Sequence, residues 1–286
     1  MFDNVIVGVD GRPNGRDAIA LASRLVSAEG KLTLVNVHGG ALNPMHAGTP
    51  GRQAKEDEAS QELLEREREQ SETQSAELLS YVASSPGRGL HAVAEQKQAD
   101  LLVVGSCSRG PFGRVLIGDD TRTSLNGAPC AVAIATRGYG DHPLPLSTIG
   151  VGYDGSPQSE IALETARELA GRDRALVRVL EVVAIPNYAF TGFGAPALGE
   201  SIETMLKEAN ERMAALDGVE GSAVYGLAGE ELAAFGDELR LLVVGSRGYG
   251  PMKRLILGST SDYLQRHARC SLLVLPRSSS PSSEPA

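Results

Sequence analysis

The hydrophobic residues of this chain fall into short continuous runs that alternate with longer amphipathic stretches. Runs such as VIVGV at 5–9 and LLVVG at 101–105 and 241–245 are apolar throughout, which is typical of strands covered on both faces of a parallel sheet. The stretches after the first strand of each series carry apolar residues at helical spacing: Ala18, Leu21, Ala22 and Leu25, then Ala162, Ala166, Leu169 and Ala170. The alternation predicts the order βαβαβαβαβ, run through twice, and therefore an α/β fold built on doubly wound parallel sheets with helices on both faces.

Three segments of the chain recur in the same order. VIVGVDGRP at 5–13 corresponds to IGVGYDGSP at 149–157, LLVVGSCSRGPFGRVLIGD at 101–119 to LLVVGSRGYGPMKRLILGS at 241–259, and APCAVAIA at 128–135 to ARCSLLVL at 268–275. Matched blocks in one order indicate two tandem copies of one domain. We predict a first domain over residues 1–138, called the first half below, and a second over residues 146–277, called the second half.

The residues between and after these two domains have the composition of connecting segments. The join falls in TRGYGDHPLPLS at 136–147, which is rich in Gly and Pro. The tail SSSPSSEPA at 278–286 is of low complexity, and we predict that it is disordered.

The composition narrows the class of protein. The 286 residues are 42% hydrophobic and 22% charged, as in globular proteins, and the net charge of −9 argues against a nucleic-acid surface. No apolar run reaches membrane-spanning length. The three cysteines lack CxxC spacing and the five histidines lack metal-ligand spacing, which argues against a disulfide scaffold and a zinc site. We expect a reduced cytoplasmic protein without a nucleic-acid or membrane partner.

The stretch GSRGYGPMKRLILGST at 245–260 carries the clearest candidate for a binding site. Gly245 ends an apolar run, and glycine allows a ligand to approach the backbone closely. Ser259 opens a predicted helix, whose first N–H groups have no partner within the helix and lie at the positive end of its dipole. This arrangement favours a phosphate, held between a glycine turn and a helix N-terminus.

A purely structural interpretation of the same stretch also stands. Ser259 and Asp262 have the spacing of a capping box, which stabilises a helix start without a ligand. Neither a Walker loop, GxxxxGK[ST], nor a Rossmann fingerprint, GxGxxG after the first strand, occurs in the chain. The motif alone therefore leaves both interpretations open.

The pattern Gly245-x2-Gly248-x9-Gly258-Ser259 resembles the ATP-binding signature of the universal stress protein family. The opening segment VGYDGSP at 151–157 and the closing segment ARCSLLVLP at 268–276 are similar to that family as well. The resemblance covers almost the whole chain, twice. It implies two tandem domains, each with five parallel strands in the order 3-2-1-4-5, and ATP or AMP bound between strands one and four.

The resemblance also implies roles for individual residues of the second half. Asp154 and Gly155 would lie at the adenosine end, where Asp154 could help to hold Mg²⁺, and Val182 would line the adenine. The phosphates would be surrounded by Gly245, Arg247, Gly248, Gly258, Ser259, Thr260 and Ser261. Simpler roles remain open: Asp154 as a turn carboxylate, Arg247 as an exposed loop cation and Val182 as a core residue.

The first half departs from this pattern. Ser108 replaces the second glycine, and Asp119 stands where the second half has Ser259. A carboxylate about 4 Å from a phosphate costs roughly 4 kcal/mol at an effective dielectric constant near 20, and even half of that weakens binding more than tenfold. We therefore predict that the first half carries a degenerate site.

Three functions are compatible with these observations. The first is a nucleotide-binding regulatory protein of the stress response, which binds ATP or AMP mainly through the second half. The second is a slow ATP hydrolase or phosphotransferase, although no obvious general base stands beside the glycine motif. The third is a scaffold that binds no nucleotide. We favour the first.

Two further expectations concern assembly and access to the site. The closing strands at 131–136 and 272–276 are apolar edge strands, and by the resemblance they pair with each other within the chain; a homodimer is a further possibility. The segment 184–201, with three aromatic residues, is predicted to be a long loop. It either packs on the other half or a second chain, or forms a flap over the adenosine.

Overall fold

The computed structural model describes residues 1–39, 52–71, 73–106, 126–141, 143, 145–184, 195–246, 255 and 258–276. In the first half the elements are β1 (Phe2–Gly8), α1 (Pro13–Leu25), β2 (Val26–His38), α2 (Arg52–Gln70), β3 (Glu77–Val82), α3 (Pro86–Gln96), β4 (Leu101–Gly105) and β5 (Ala131–Ala135). In the second half they are β6 (Thr148–Tyr153), α4 (Pro157–Asp173), β7 (Leu176–Val183), α5 (Ala195–Ala214), β8 (Glu220–Tyr225), α6 (Ala228–Phe235), a 3₁₀ turn (Gly236–Glu238), β9 (Leu241–Gly245), α7 (Ser259–His267) and β10 (Ser271–Leu275).

The ten strands in the described ranges belong to one sheet, in the order β3-β2-β1-β4-β5-β10-β9-β6-β7-β8. Within each half the strands are parallel and follow the predicted order 3-2-1-4-5, which is confirmed. At the centre β5 and β10 run antiparallel, with Ala133 opposite Leu273. The two closing strands thus cover each other, and the sheet is continuous through both halves.

The sheet is buried on both faces because its strands are apolar at consecutive positions. Val5 and Val7 of β1 lie in one hydrophobic cluster and Ile6 lies in the other. The first cluster takes residues from α1, α2, α4 and α5, and the second takes residues from α3, α6 and α7. Helices therefore cover both faces, as predicted, and every apolar position that was assigned to α1 and α4 is buried.

The join between the halves is a packed turn. Asp17 of α1, only 2% exposed, accepts hydrogen bonds from the backbone N–H groups of Gly138, at 3.0 Å, and Gly140, at 2.7 Å. Tyr139 between them is buried. Burial raises the pKa of the Asp17 carboxyl, and the two backbone hydrogen bonds oppose this change. The part that Asp17 plays in this turn was not predicted from the sequence.

The predicted long loop at 184–201 is wrong in its second part. Helix α5 begins at Ala195, so seven residues of the predicted loop are helical. Pro196 lies in the first helical turn, where its missing N–H costs nothing, and Ala197 and Leu198 are strong helix formers. Residues 185–194, which carry the three aromatic side chains, lie outside the described residues.

Within the described ranges, none of the helices combines the length and the apolar character that a membrane crossing requires.

Candidate functional site: a cavity at the ends of β6 and β9

A cavity of about 380 Å³ lies in the second half, at the carboxyl ends of β6 and β9. These two strands are neighbours, and β7 lies on the other side of β6, so the strand order reverses here. Open α/β sheets bind their ligands at such points. The walls come from β6, β7 and β9 and from the first turns of α4, α6 and α7. The volume lies in the range of small-molecule sites.

Most of the residues that the family resemblance assigned to nucleotide binding meet at this cavity. Those that line it are Asp154, Val182, Gly245, Gly258, Thr260 and Ser261. Gly155 lies in the turn after β6 with a φ of +71°, and the exposed Ser259 is the first residue of α7; neither is among the lining residues. Arg247 and Gly248 lie outside the described residues.

Gly152 of β6 lines the cavity at a point where the packing leaves little room for a side chain. A Cβ atom at this position would lie 3.1 Å from Leu232 Cδ1 and 3.2 Å from Val244 Cγ1, both of which line the cavity. Sequence reasoning did not single out Gly152. The signal was present, because a glycine inside a strand commonly marks the close approach of a ligand or of another chain segment.

Asp154 combines two of the roles considered for it. Its Oδ1 accepts the backbone N–H of Ser156 at 3.1 Å, which is a turn interaction before α4. The residue also lines the cavity. Ser156 in turn caps α4, since its hydroxyl oxygen accepts the N–H of Ser159 at 3.2 Å, and Pro157 follows as the first helical residue. Helix α4 thus begins with a serine cap followed by proline, a combination that favours a helix start.

Packing requires a glycine at position 245, and this residue also lines the cavity. A Cβ atom here would lie 2.7 Å from Gln158 Cβ in the first turn of α4. In the first half, a Cβ atom on Gly105 would lie 2.0 Å from the carbonyl oxygen of Asn14 in α1. In both halves, therefore, the strand-end glycine lets the first helix of that half, α1 or α4, approach the sheet, with or without a ligand.

The capping-box interpretation of α7 is wrong. The N-cap of this helix is Gly258, with an extended backbone, and Ser259 is already helical. The carboxylate of Asp262 accepts hydrogen bonds from the side chains of Gln265 and Arg266. Because the cap residue is a glycine, it offers no side chain to the first N–H groups of the helix. The start of α7, with Gly258, Thr260 and Ser261 in the cavity wall, therefore has the character of an anion site.

Charged and polar groups around Tyr153, which lines the cavity, are paired. The Tyr153 hydroxyl donates to Glu160, and this hydrogen bond, together with burial and the nearby carboxylates, raises the pKa of Tyr153 to about 12. Glu181 of β7 is nearly buried and accepts a hydrogen bond from Arg212 Nη2 of α5 at 2.5 Å. That bond raises the pKa of Arg212. Tyr153 and Arg212 consequently keep their protons at neutral pH.

A smaller cavity of about 130 Å³ lies at the equivalent place in the first half, beside Gly8, Asp10 and Gly105. Residues 107–125, which include Ser108 and Asp119, lie outside the described residues. The degenerate character of this half therefore stays a prediction. In the part of the chain that the structure describes, no group of three or more His, Cys, Asp or Glu side chains could hold a metal ion.

Comparison with known proteins identifies relatives of both halves. The model of the universal stress protein family matches residues 1–136 and again residues 145–276. A universal stress protein of Mycobacterium tuberculosis strain H37Rv is 29% identical over 202 residues, which are 67% of this chain and 69% of the relative. Another from the same strain is 30% identical over 192 residues, 63% of each chain.

Solved structures show the same fold over nearly the full length. A universal stress protein from Archaeoglobus fulgidus superposes with a TM-score of 0.66 at 18% identity, covering 96% of this chain and 98% of the other. A putative universal stress protein from Pseudomonas aeruginosa gives a TM-score of 0.59 at 16% identity, covering 96% and 94%. With the family model matched twice along its length, this chain belongs to the universal stress protein family.

Proposed function

We propose that the second half binds an adenine nucleotide, ATP or AMP, in the cavity between β6 and β9, and that the protein acts as a nucleotide-dependent regulator in the stress response. The observation that carries this proposal is the arrangement of the cavity: an apolar slot at one end and the start of a helix at the other. A nucleotide has the same two parts, a flat base and a chain of anionic groups.

The apolar end suits an adenine base. Leu180 and Val182 of β7, Leu232 of α6 and Val244 of β9 contribute apolar side chains to the lining. Gly152 lies among them, and a side chain at this position would press against Leu232 and Val244, so that only a glycine leaves this end of the cavity undisturbed. A base inserted here would bury apolar surface on both faces. Asp154 lies at the rim, where its carboxylate could accept a ribose hydroxyl or help to hold Mg²⁺.

The polar end suits phosphate. The cavity wall there contains Gly258, Thr260 and Ser261 from the start of α7, together with Gly245 and Ser246 from the end of β9. Backbone N–H groups and the positive end of the helix dipole favour an anion at this point. Since the net charge of the chain is −9, attraction for phosphate must come from such local groups.

Binding is a better account of this site than catalysis. Phosphoryl transfer needs a group that positions the nucleophile, and an acceptor site. Among the described lining residues, the one carboxylate is that of Asp154, which we assign to the ribose or to Mg²⁺, and Tyr153 keeps its proton at neutral pH. We therefore propose a regulatory binding protein and treat hydrolysis as an outcome to be tested.

The proposal assigns one nucleotide to each chain. The first half has the smaller cavity, and its sequence places Asp119 where the second half has Ser259. We further propose that the two halves stay paired through β5 and β10 in solution, within a single chain.

The test is to denature the purified protein, identify the released nucleotide and count it against the chain. We expect about one adenine nucleotide per chain once the protein has been saturated with ATP and separated from the excess. A time course with radiolabelled ATP, run in parallel, is expected to show no release of phosphate beyond a blank. The absence of any nucleotide after saturation would favour the scaffold, and steady phosphate release would favour the hydrolase.

A further inference from the structure

Leu255 belongs to the second half by sequence, but its backbone forms hydrogen bonds with the first half. Its backbone N–H donates to the carbonyl oxygen of Ala128 at 2.8 Å, and its own carbonyl oxygen accepts the N–H of Gly127 at 2.9 Å. Leu255 is completely buried and belongs to the hydrophobic cluster that also contains Ala128 and Leu264. Gly127 has a φ of +86°, a conformation that favours glycine. The two backbone hydrogen bonds hold Leu255 against the segment that immediately precedes β5.

This point of attachment lies close in sequence to the polar end of the cavity. Gly258, the N-cap of α7 and a lining residue, is three residues from Leu255, and three residues span at most about 11 Å. At the other end of the segment, the N–H of Ser246 donates to the carbonyl oxygen of Leu275 at 2.9 Å. The chain that leads into α7 is thus held by the second half at Ser246 and by the first half at Leu255.

We propose that Leu255 is a positioning residue through which the first half fixes the phosphate end of the second half's site. This inference rests on the proposed function. The first half then controls nucleotide affinity in the second half without binding a nucleotide itself. A phosphate can bind only when the start of α7 has the correct position. If Leu255 holds α7 in that position before binding, less conformational entropy is lost when the nucleotide binds.

The apolar end of the cavity is built on elements other than the start of α7. Gly152 and Val182 lie on β6 and β7, which pair with each other within the second half, and Leu232 lies on α6. Weakening the attachment of Leu255 should therefore lower the affinity for ligands that carry phosphates and leave the affinity for adenosine unchanged. A residue that acts only by stabilising the fold would affect both ligands alike.

The coupling must also act in the reverse direction, because linkage between two sites is reciprocal. A nucleotide whose phosphates hold the start of α7 should strengthen the bonds between Leu255 and the first half. The N–H groups of Gly127 and Leu255 should then exchange more slowly with solvent in the presence of ATP. Adenosine, which does not reach α7, should leave their exchange unchanged.

The experiment compares three full-length variants in ATP and adenosine titrations. L255A is expected to bind ATP at least about tenfold more weakly than the wild type, which corresponds to one molecule in ten having the start of α7 in place. Its affinity for adenosine should lie within about twofold of the wild-type value. L255M, which conserves volume, should restore ATP binding. L169A is the control, because Leu169 is equally buried, in α4 on the opposite face of the sheet; it should leave the ratio of the two affinities unchanged.

Each outcome decides a separate claim. If the wild type binds neither ATP nor adenosine, the proposed function fails and the inference falls with it. If the wild type binds ATP and L255A keeps that affinity, or loses both ligands equally, only the role of Leu255 is overturned. Should L255A fail to fold, hydrogen exchange on the wild type decides: slowing at Gly127 by ATP and not by adenosine supports the coupling, and equal exchange in all states refutes it.

Discussion

The carboxylate of Asp17 lies 2.7 Å from the backbone nitrogen of Gly140 and accepts its N–H, which ties the join between the two halves to the first helix of the chain. Its other oxygen accepts the N–H of Gly138. A Cβ atom on Gly140 would lie 3.1 Å from the backbone of Arg16, so the turn can approach α1 this closely only because that residue is a glycine. The position of the second half relative to the first thus depends in part on one buried carboxylate.

Replacing Asp17 by Asn should destabilise the protein. An amide has one oxygen where the carboxylate has two, so one of the two turn N–H groups would face an NH₂ group and lose its partner. A buried donor without a partner costs about 1–3 kcal/mol. Urea unfolding of D17N measures this loss. D141N, in the exposed part of the same turn, is the control and should lie within about 0.5 kcal/mol of the wild type.

The raised pKa of Asp17 predicts a pH dependence of stability. A carboxyl whose pKa is higher in the folded than in the unfolded protein takes up its proton first in the folded state, so its contribution to stability rises as the pH falls through the folded pKa. The gain levels off below the unfolded value near 3.8. Between neutral pH and that value, the wild type should therefore gain stability relative to D17N.

The measurement is urea unfolding of both proteins across this pH range. A difference between them that shrinks as the pH falls would show that the two turn hydrogen bonds outweigh burial and lower the pKa of Asp17. A constant difference would show that the two effects cancel, and it too would contradict the raised pKa.

The strand-end glycines give a paired test of packing. G105A would place a Cβ atom 2.0 Å from a backbone oxygen of Asn14, whereas G245A would place one 2.7 Å from the Cβ of Gln158. Overpacking of this kind typically costs about 1–3 kcal/mol, and G105A should be the more damaging because backbone atoms yield less easily. Thermal unfolding compares the two variants. A larger loss in G245A would mean that the contact between β9 and α4 yields less easily than the contact between β4 and α1.

The role of the start of α7 can be separated from the stability of the helix. S259D places a carboxylate at the first helical residue, where an anion interacts favourably with the dipole, so the folded state should not be weakened. A phosphate bound at the same point would be repelled by roughly 2 kcal/mol after screening, which weakens ATP more than tenfold. Calorimetric titrations of S259D with ATP and with adenosine measure the loss of affinity, which should appear for ATP and not for adenosine. Unchanged ATP affinity would place the phosphates away from α7.

Much of the fold could be predicted from the sequence because its signals are local. Continuous apolar runs such as Leu241–Gly245 can be buried on both faces only in a covered parallel sheet, and the repeat shows that the pattern occurs twice. The strand order came from the family resemblance, since apolar runs do not reveal their neighbours. The error at 184–201 arose because glycine and proline were weighed above the helix formers that follow Pro196.

The site was predicted less completely, because its shape depends on contacts between distant residues. Gly245 was singled out for a ligand, but its packing against Gln158 cannot be seen in the sequence. Gly152 was missed because the need for a glycine there arises only when Leu232 and Val244 lie beside it. Asp17 was missed for a similar reason: in the sequence it is one polar residue in a helix, and its partners lie more than 120 residues away. The predictions at Arg247 and Gly248 remain predictions.

The measurement that tests the central claim most directly is a calorimetric titration with ATP of the wild type and of two matched variants, G152V and G8V. Gly152 and Gly8 occupy equivalent positions in β6 and β1, and each faces a leucine across its own cavity, Leu232 or Leu90. We predict one site per chain in the wild type, a site that survives in G8V, and no measurable site in folded G152V. Two sites in the wild type, or equal effects of the two substitutions, would contradict the assignment of nucleotide binding to the second half.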